Sequence, residues 1–521
     1  MNCGQGGNCG SEPRDMAELL LGLDIGTSGV KVGVAEAGGR LLGLGRASHE
    51  NASPQPGWVE CDPQRWWGGV LAALRQACAE AGRSPADIAA VGVSVLFPCV
   101  VPLDADARAL YPAILYCDRR SLAEVAAIEA LIPRAEYEAR IGNVLVPGTC
   151  AATSLAWLRG HQPDAWRAAH CFGFANTAIT ARLTGEFCTD PTQVALSGLV
   201  DIYDPWRWDA ELCEKLGIDA TRLPRVAGAA EVVGTLTRAA AAETGLRPGT
   251  PVVCGCGDVP ASALGAGAAD PSSVIYVAGS TDCVAVPTPA PTGDRRWVNS
   301  AYVPRGLWLP IGTTTSSGVS VEWFTREMLV RGGEGLRAMT ELAAGAPLGS
   351  HGLLFLPYLQ GERTPLWDPR ARGAFFGLST ATTRADLARA VLEGTAFALR
   401  SVIESLEGVV GAPVGEIRAV GGGTRNALWN QIKADVLGKR LAVLEFQETS
   451  ALGAALLAAM GAGLHTSFAA AADAARSCNR AHVVEPDPAR AESYGRLYPL
   501  FAGLYPATRE LAHALGETRG G

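Results

Sequence analysis

The strongest constraint on the fold is an order of elements that occurs twice. "LLLGLDIGTSGVKVGVAEAGGRLLGLGRA", residues 19–47, reads as a strand, a Gly/Thr/Ser turn, a second strand through Val30–Val34, a Gly38-Gly39 turn and a third strand. Asp62-Pro63 supplies an N-cap and a proline at the first helical position, and Trp66, Val70 and Leu74 recur at helical spacing, so a helix is predicted to about Gly82. "IAAVGVSV", 88–95, alternates as a strand does. The order returns from about residue 250. "PVVCGCG" predicts a strand ending at Asp258, "SSVIYVAGSTDCVAV", 272–286, predicts two strands about a Gly-Ser-Thr turn, and "WVNSAYV" and "LWLPIG" continue the meander. "TRADLARAVLEGTAFALRSVIESLE", 383–407, is a helix with Thr383 and Asp386 at capping-box positions. "EIRAVGGGTRNALWNQIKADVLG" is a strand, three glycines and a helix closed by Gly438. This predicts an α/β chain with a loose tail over 1–18 and two related halves, 19–250 and 251–521.

At 521 residues the chain exceeds one ordinary core. A net charge of −8 and the lack of any Lys/Arg cluster argue against a nucleic-acid partner. No apolar run approaches the roughly 20 residues that span a bilayer, and Leu19–Leu23 is too short for a signal-peptide core. A cytoplasmic protein with no membrane partner is the expectation, with Met16 a candidate functional start. The 14 cysteines show no C-x-x-C pair and no Cys/His metal spacing, so they read as small buried hydrophobes.

Turns of Gly, Thr and Ser let backbone N–H groups converge without Cβ obstruction, which makes a nest for phosphate. Gly26-Thr27-Ser28 and Gly279-Ser280-Thr281 would clamp a polyphosphate from two sides; each alone also reads as an ordinary hairpin. Asp24, at the end of the first strand, suits a Mg²⁺ ion held mostly through water, or simply caps the turn. Gly421-Gly422-Gly423 end a strand where a flat base could approach the backbone. Asp258 either caps a helix or does chemistry. P-loop, H-R-D, H-E-x-x-H and G-x-S-x-G motifs are absent from the sequence.

Taken in order, "LGLDIGTSGVKVGV", "PGWVECDPQRWW", "PAILYCDRR", "GCGDVPASALGAGA", "AGSTDCV", "GERTPLWDPRARGAFFGLS" and "AVGGGTRNALWNQIKADVLG" resemble the FGGY carbohydrate kinases, especially their xylulokinase-like branch, from about Leu19 to residue 460. The resemblance implies two actin-like (ribonuclease H-like) domains with ATP and a sugar in the cleft between them. By position in its motif, Asp258 becomes the general base for the attacking sugar hydroxyl, and the small residues around it would let substrate and phosphate approach. Asp24 would support Mg²⁺, Thr27 and Ser28 would meet the phosphates, and Gly279, Ser280 and Thr281 would face the γ-phosphate. Gly421, Gly422, Gly423 and Asn426 resemble the adenosine site. Trp58, Asp118, Arg119 and Arg120 would line or support the sugar pocket, with core packing and a surface ion pair as the other reading. A homodimer is the assembly the family implies.

The chain departs from that pattern beside the base. Many xylulokinases carry Gly-Gln-Met-His-Gly after the strand equivalent to 91–94 and Asn after the catalytic Asp. Here Val95, Leu96, Phe97, Pro98 and Cys99 stand in the first place and Val259 in the second. This puts Leu96, Phe97, Pro98 and Val259 on the sugar pocket in place of polar partners, which changes the hydroxyl pattern accepted. D-Xylulose is the default substrate by resemblance; the substitutions lead us to expect a better one among ribulose, erythrulose and glycerol-like polyols. A sugar sensor of the same fold without turnover is the other class.

Overall fold

The structure is a computed structural model that describes residues 18–329 and 335–517; the expected N-terminal tail, with Met16, lies outside the described residues apart from Glu18. The first sheet begins with the predicted meander, β1 (Leu19–Ile25), β2 (Gly29–Glu36) and β3 (Leu41–Ser48). Helix α1 (Pro63–Ala81) starts on the Asp62 cap, whose side chain accepts the Gln64 N–H, and ends on Gly82 in the left-handed conformation. It buries Trp66, Trp67, Val70 and Leu74, the stripe that the spacing predicted. Strands β4 (Ile88–Val95), β5 (Val232–Thr235), β6 (Pro251–Val253) and β7 (Cys256–Gly257) complete the sheet in the order β5-β6-β4-β1-β2-β3, with β7 also paired to β4. Strand β4 runs parallel to β1, β6 and β7, while β1-β2 and β2-β3 are antiparallel.

Helix α2 (Asp258–Gly265) leads into the second sheet: β8 (Val274–Ala278), β9 (Asp282–Ala285), β10 (Val298–Ala301) and β11 (Trp308–Thr313). Helices α3 (Gly318–Met328), α4 (Gly335–Ala344) and α5 (Arg384–Val410) follow, then β12 (Glu416–Val420), α6 (Ala427–Leu437), β13 (Arg440–Leu444), α7 (Thr449–Gly461) and β14 (Ala481–Val484). The sheet order is β10-β11-β9-β8-β12-β13-β14, with β8, β12 and β13 parallel. Antiparallel strands on one side of a central strand and parallel strands on the other thus occur in both sheets.

Two boundaries differ from the sequence reading. The strand expected to run unbroken to Asp258 is split, because Gly255 turns at φ 76° and sits so close to β4 that a Cβ there would lie 2.1 Å from the Val93 carbonyl oxygen. Both pieces belong to the first sheet, so a division at 250 cuts through it; the change of sheet comes after residue 257.

The halves are cross-braced. Helix α7, from the second half of the sequence, packs on β1 and β4, where a Cβ on Gly22 or Gly92 would fall within 2 Å of the Ala451 or Ala454 carbonyl oxygen. It also packs on α2, with Gly453 against Ala261 and Gly265 against Thr449. Small residues after Asp258 therefore have a packing cause: Ala261 and Gly265 meet α7 at Gly453 and Thr449, and Ala261 and Ala263 are fully buried.

Candidate functional site

Register assembles the acidic part of the site. Asp24 in β1 lies level with Lys31 in β2 and Ser94 in β4, and Ser94 in turn pairs with Cys256 in β7, two residues before Asp258. Asp24 is 3% exposed. Its Oδ1 accepts the Ser94 hydroxyl at 2.9 Å and its Oδ2 the Ser450 hydroxyl at 2.7 Å. Lys31 Nζ stands 3.9 Å from Asp24 but 2.7 Å from Glu448, to which Arg46 also binds at 2.9 Å. The Lys31 charge is thus shared, and burial holds the Asp24 carboxyl above the usual carboxylate range despite its donors.

Asp258 is the first residue of α2, not its cap. Gly257 occupies the cap position, and Asp258 turns back to accept the N–H of its neighbour Val259 at 2.8 Å. Burial, then the Asp24 charge, push its carboxyl up to about 7. Its charge, in turn, helps to raise the Cys283 thiol of β9 and the Tyr116 hydroxyl, both of which burial raises most.

A cavity of about 950 Å³ joins the two turns: Ser28 and Lys31 line it from the first half, and Gly279, Ser280, Gly422, Gly423 and Trp429 from the second. The first turn is closed by Gly26 N–H to Gly29 O at 2.9 Å and pinned from outside by Asn51, which donates to the Thr27 carbonyl at 2.8 Å. The second is closed by Gly279 N–H to Thr281 O at 3.1 Å and anchored by the Gly318 and Val319 N–H groups at the start of α3. Gly421 has φ 100°, and a Cβ there would lie 2.5 Å from the Ala278 carbonyl oxygen, whereas a Cβ on Gly422 would meet open space. Asn426 stands behind this wall: its Oδ1 caps α6 at the Trp429 N–H, and its Nδ2 donates to Thr340 of α4 at 2.8 Å. One donor and one acceptor site of its amide are thus taken by the protein.

The residues expected on the sugar pocket divide. Leu96 is fully buried in the first core, and Pro98 is buried beside it, so neither presents a face to a ligand. Phe97 is half-buried and lies over Gly257, where a Cβ would come within 2.7 Å of its ring; with half-buried Val259 it forms an apolar wall next to Asp258. Asp118 is 1% exposed and pairs at 2.8 Å with Arg120, which also binds Glu60 at 2.8 Å and stacks over Trp58 at 3.9 Å. The Asp118–Arg120 pair is thus inside the protein, where the alternative reading expected it at the surface, and Trp58 packs on it. Arg119 is exposed, and its Nη1 ties the Tyr116, Asp118 and Pro147 carbonyls together.

Sequence reasoning passed over Lys31, Ser94, Tyr116, Trp429 and Ser450. A signal existed for two of them: Lys31 interrupts an otherwise apolar strand, and Ser94 interrupts a run of valines. Ser450 comes to Asp24 from 426 residues away, which no local pattern reveals.

Residues 19–265 match the N-terminal domain, and residues 274–462 the C-terminal domain, of the FGGY family of carbohydrate kinases. The chain belongs to this family. The xylulose kinase of Escherichia coli (strain K12) is 30% identical over 454 residues, covering 85% of this chain and 90% of that protein. The L-xylulose/3-keto-L-gulonate kinase of the same strain is 30% identical over 510 residues, covering 94% of this chain and 97% of the relative. Among solved structures, xylulose kinase from Rhodospirillum rubrum superposes with a TM-score of 0.86 at 32% identity, covering 95% of this chain and all of that one. This FGGY chain is an ATP-dependent sugar kinase with the two-domain actin-like fold. Among its described residues no helix is long and apolar enough to cross a membrane.

Proposed function

We propose that the chain transfers the γ-phosphoryl group of ATP to a hydroxyl of a ketose, with D-xylulose the reference substrate and Asp258 the general base. One observation carries the reading: strand register sets Asp24 level with Ser94 and Ser94 level with Cys256, two residues before Asp258, so both acids stand at the same end of the first sheet as the Gly26–Ser28 turn. The two turns hold the phosphate chain in the cavity, so the γ-phosphorus faces a hydroxyl resting on Asp258. As the sugar oxygen bonds to phosphorus and the bridging bond to ADP breaks, the hydroxyl proton passes to the Asp258 carboxylate. A carboxyl at about 7 is well matched to that task at neutral pH, being ionised often enough to accept a proton and basic enough to hold it.

The acid pair also fits a divalent cation. Two carboxylates whose charges disfavour each other in a shielded cleft are relieved by a positive ion, and among the described residues no cluster of three or more His, Cys, Asp or Glu would cage one. A Mg²⁺ ion that keeps its water shell suits such a place, with Asp24 holding it through water; when bound it would neutralise charge on the phosphates.

A second reading rests on Phe97. Its ring and Val259 make the wall beside the base apolar, which favours a ketose or polyol with fewer hydroxyls toward that side. A coupled ADP-release assay with Mg·ATP against D-xylulose, D-ribulose, erythrulose and glycerol tests both. Highest kcat/KM on D-xylulose supports the reference substrate, and highest kcat/KM on another member supports the Phe97 reading. ATP hydrolysis independent of any sugar would overturn the kinase mechanism.

A further inference from the structure

A second charged pair stands behind the cavity, fully inside the protein. Lys433 of α6 is 0% exposed and Asp282 of β9 is 1% exposed. The Lys433 ammonium lies 3.5 Å from the centre of the Trp429 ring and 5.1 Å from that of Tyr276. Asp282 Oδ1 accepts the Tyr276 hydroxyl at 2.8 Å, and the Asp282 N–H donates to Thr314 Oγ1 at 3.0 Å. The remaining charged atoms, Lys433 Nζ and Asp282 Oδ2, have no hydrogen-bond partner among the described residues, and the buried Ser316 and Ser317 hydroxyls beside the turn are in the same condition. Two opposite charges are therefore buried on either side of Tyr276, beyond ion-pair distance of each other, with part of their bonding capacity unspent. That is a costly arrangement for a core, where apolar residues of equal volume would serve.

Its location gives it a use. Asp282 directly follows Thr281, the last residue of the second phosphate turn, and Trp429 lines the same cavity. The Trp429 ring is fixed by its own N–H bond to Thr395 Oγ1 at 3.1 Å, so Lys433 rests on a rigid wall on one side and, on the other, over the Tyr276 ring whose hydroxyl holds Asp282. We propose that Lys433 and Asp282 are positioning residues for ATP: their attraction holds the Gly279–Thr281 turn in register with the Trp429 wall, and so sets the spacing between phosphates and base. The inference rests on the reading that this cavity takes the nucleotide.

The test uses Lys433→Met, Asp282→Asn and the double variant in the full chain, followed by ADP calorimetry, steady-state kinetics and thermal melting. Removing one charge strands the other, while removing both does not. Each single change should therefore raise KM for ATP and Kd for ADP about tenfold or more, leave KM for the sugar within about twofold, and be largely cancelled in the double variant, to within about threefold of the wild type. Multiplying effects in the double variant would overturn the pairing. Lowered melting temperatures with wild-type ADP affinity would overturn the positioning role and leave a purely structural pair. If neither single variant folds, the double variant decides: a folded protein with ADP affinity within threefold supports the pair, and failure of the double variant as well overturns it. A wild-type protein that binds no ADP would overturn the nucleotide-site reading itself, an outcome distinct from variants that bind as well as a binding wild type.

Discussion

The first and second Gly/Thr/Ser turns occupy equivalent places in sheets of the same order, but what lies beneath them differs. Under Gly26–Ser28 are Asp24 and, directly after β7, Asp258, with a cation in Lys31 that is 40% exposed and shared with Glu448. Directly after Gly279–Thr281 stands Asp282, held by the Tyr276 hydroxyl with the buried Lys433 beyond that ring, and the neighbouring parallel strand ends in glycines instead of acids. One backbone nest is thus built over two neighbouring acids, the other over a single acid bonded to Tyr276. On the proposed reading, both turns hold phosphate, while proton transfer falls to the half whose acids lack a dedicated cation.

This contrast can be broken at several points. The largest effect is expected at Asp118, which unlike Asp258 has its own cation. Asp118→Ala leaves the buried Arg120 with Glu60 as its one remaining carboxylate, so it should cost about 3 kcal/mol of stability by denaturant melts, with turnover lost only as folded protein is lost. If stability were untouched and sugar turnover gone, Asp118 would belong with the reactive acids.

Next comes the glycine strand end. Gly421→Ala meets both a left-handed backbone and the Ala278 carbonyl, so a loss of about 2 kcal/mol and at least a tenfold weaker ADP affinity are expected. Gly422→Ala meets open space and should weaken ADP several-fold with a melting temperature close to that of the wild type. Equal melting shifts in the two variants would contradict the geometry.

Asp24→Asn probes the coupling of the acids. Asp258 is held high in part by Asp24, and only its ionised form is a base, so the wild-type kcat/KM should rise with pH through about 7. Removing the neighbouring charge moves that rise to lower pH; a profile shifted upward, or unmoved, would show that Asp24 does not act on Asp258. The smallest change is expected from Phe97→Ala, a several-fold change in KM for the sugar with ADP binding intact, read from the same kinetics.

Local signals in the sequence were enough for much of this. The Asp62 and Thr383 caps, the Gly82 and Gly438 stops, both meanders and both turns lie where residue pattern places them, because each is determined by neighbours a few positions away. Pattern failed where the cause is distant. Leu96 and Pro98 stand next to Phe97 in sequence, yet backbone direction sends only Phe97 to the cleft. The alanines after Asp258 are explained by a helix about 190 residues further on. Ser450, Lys433 and the Asp118–Arg120 network likewise depend on contacts that no short window contains.

The central claim, that Asp258 is the base and the second half holds the nucleotide, is tested most directly by Asp258→Asn with turnover, ADP binding and melting measured on one preparation. Sugar-dependent turnover should fall at least about a thousandfold while Kd for ADP stays within about threefold. The folded Asp258 carboxyl is raised to about 7, so in the wild type its contribution to stability is present below the ordinary carboxylate value and lost as pH rises through about 7. The variant should therefore melt above the wild type at pH 8 and close to it near pH 4. Turnover within tenfold of the wild type, or loss of ADP binding together with turnover, would contradict the account.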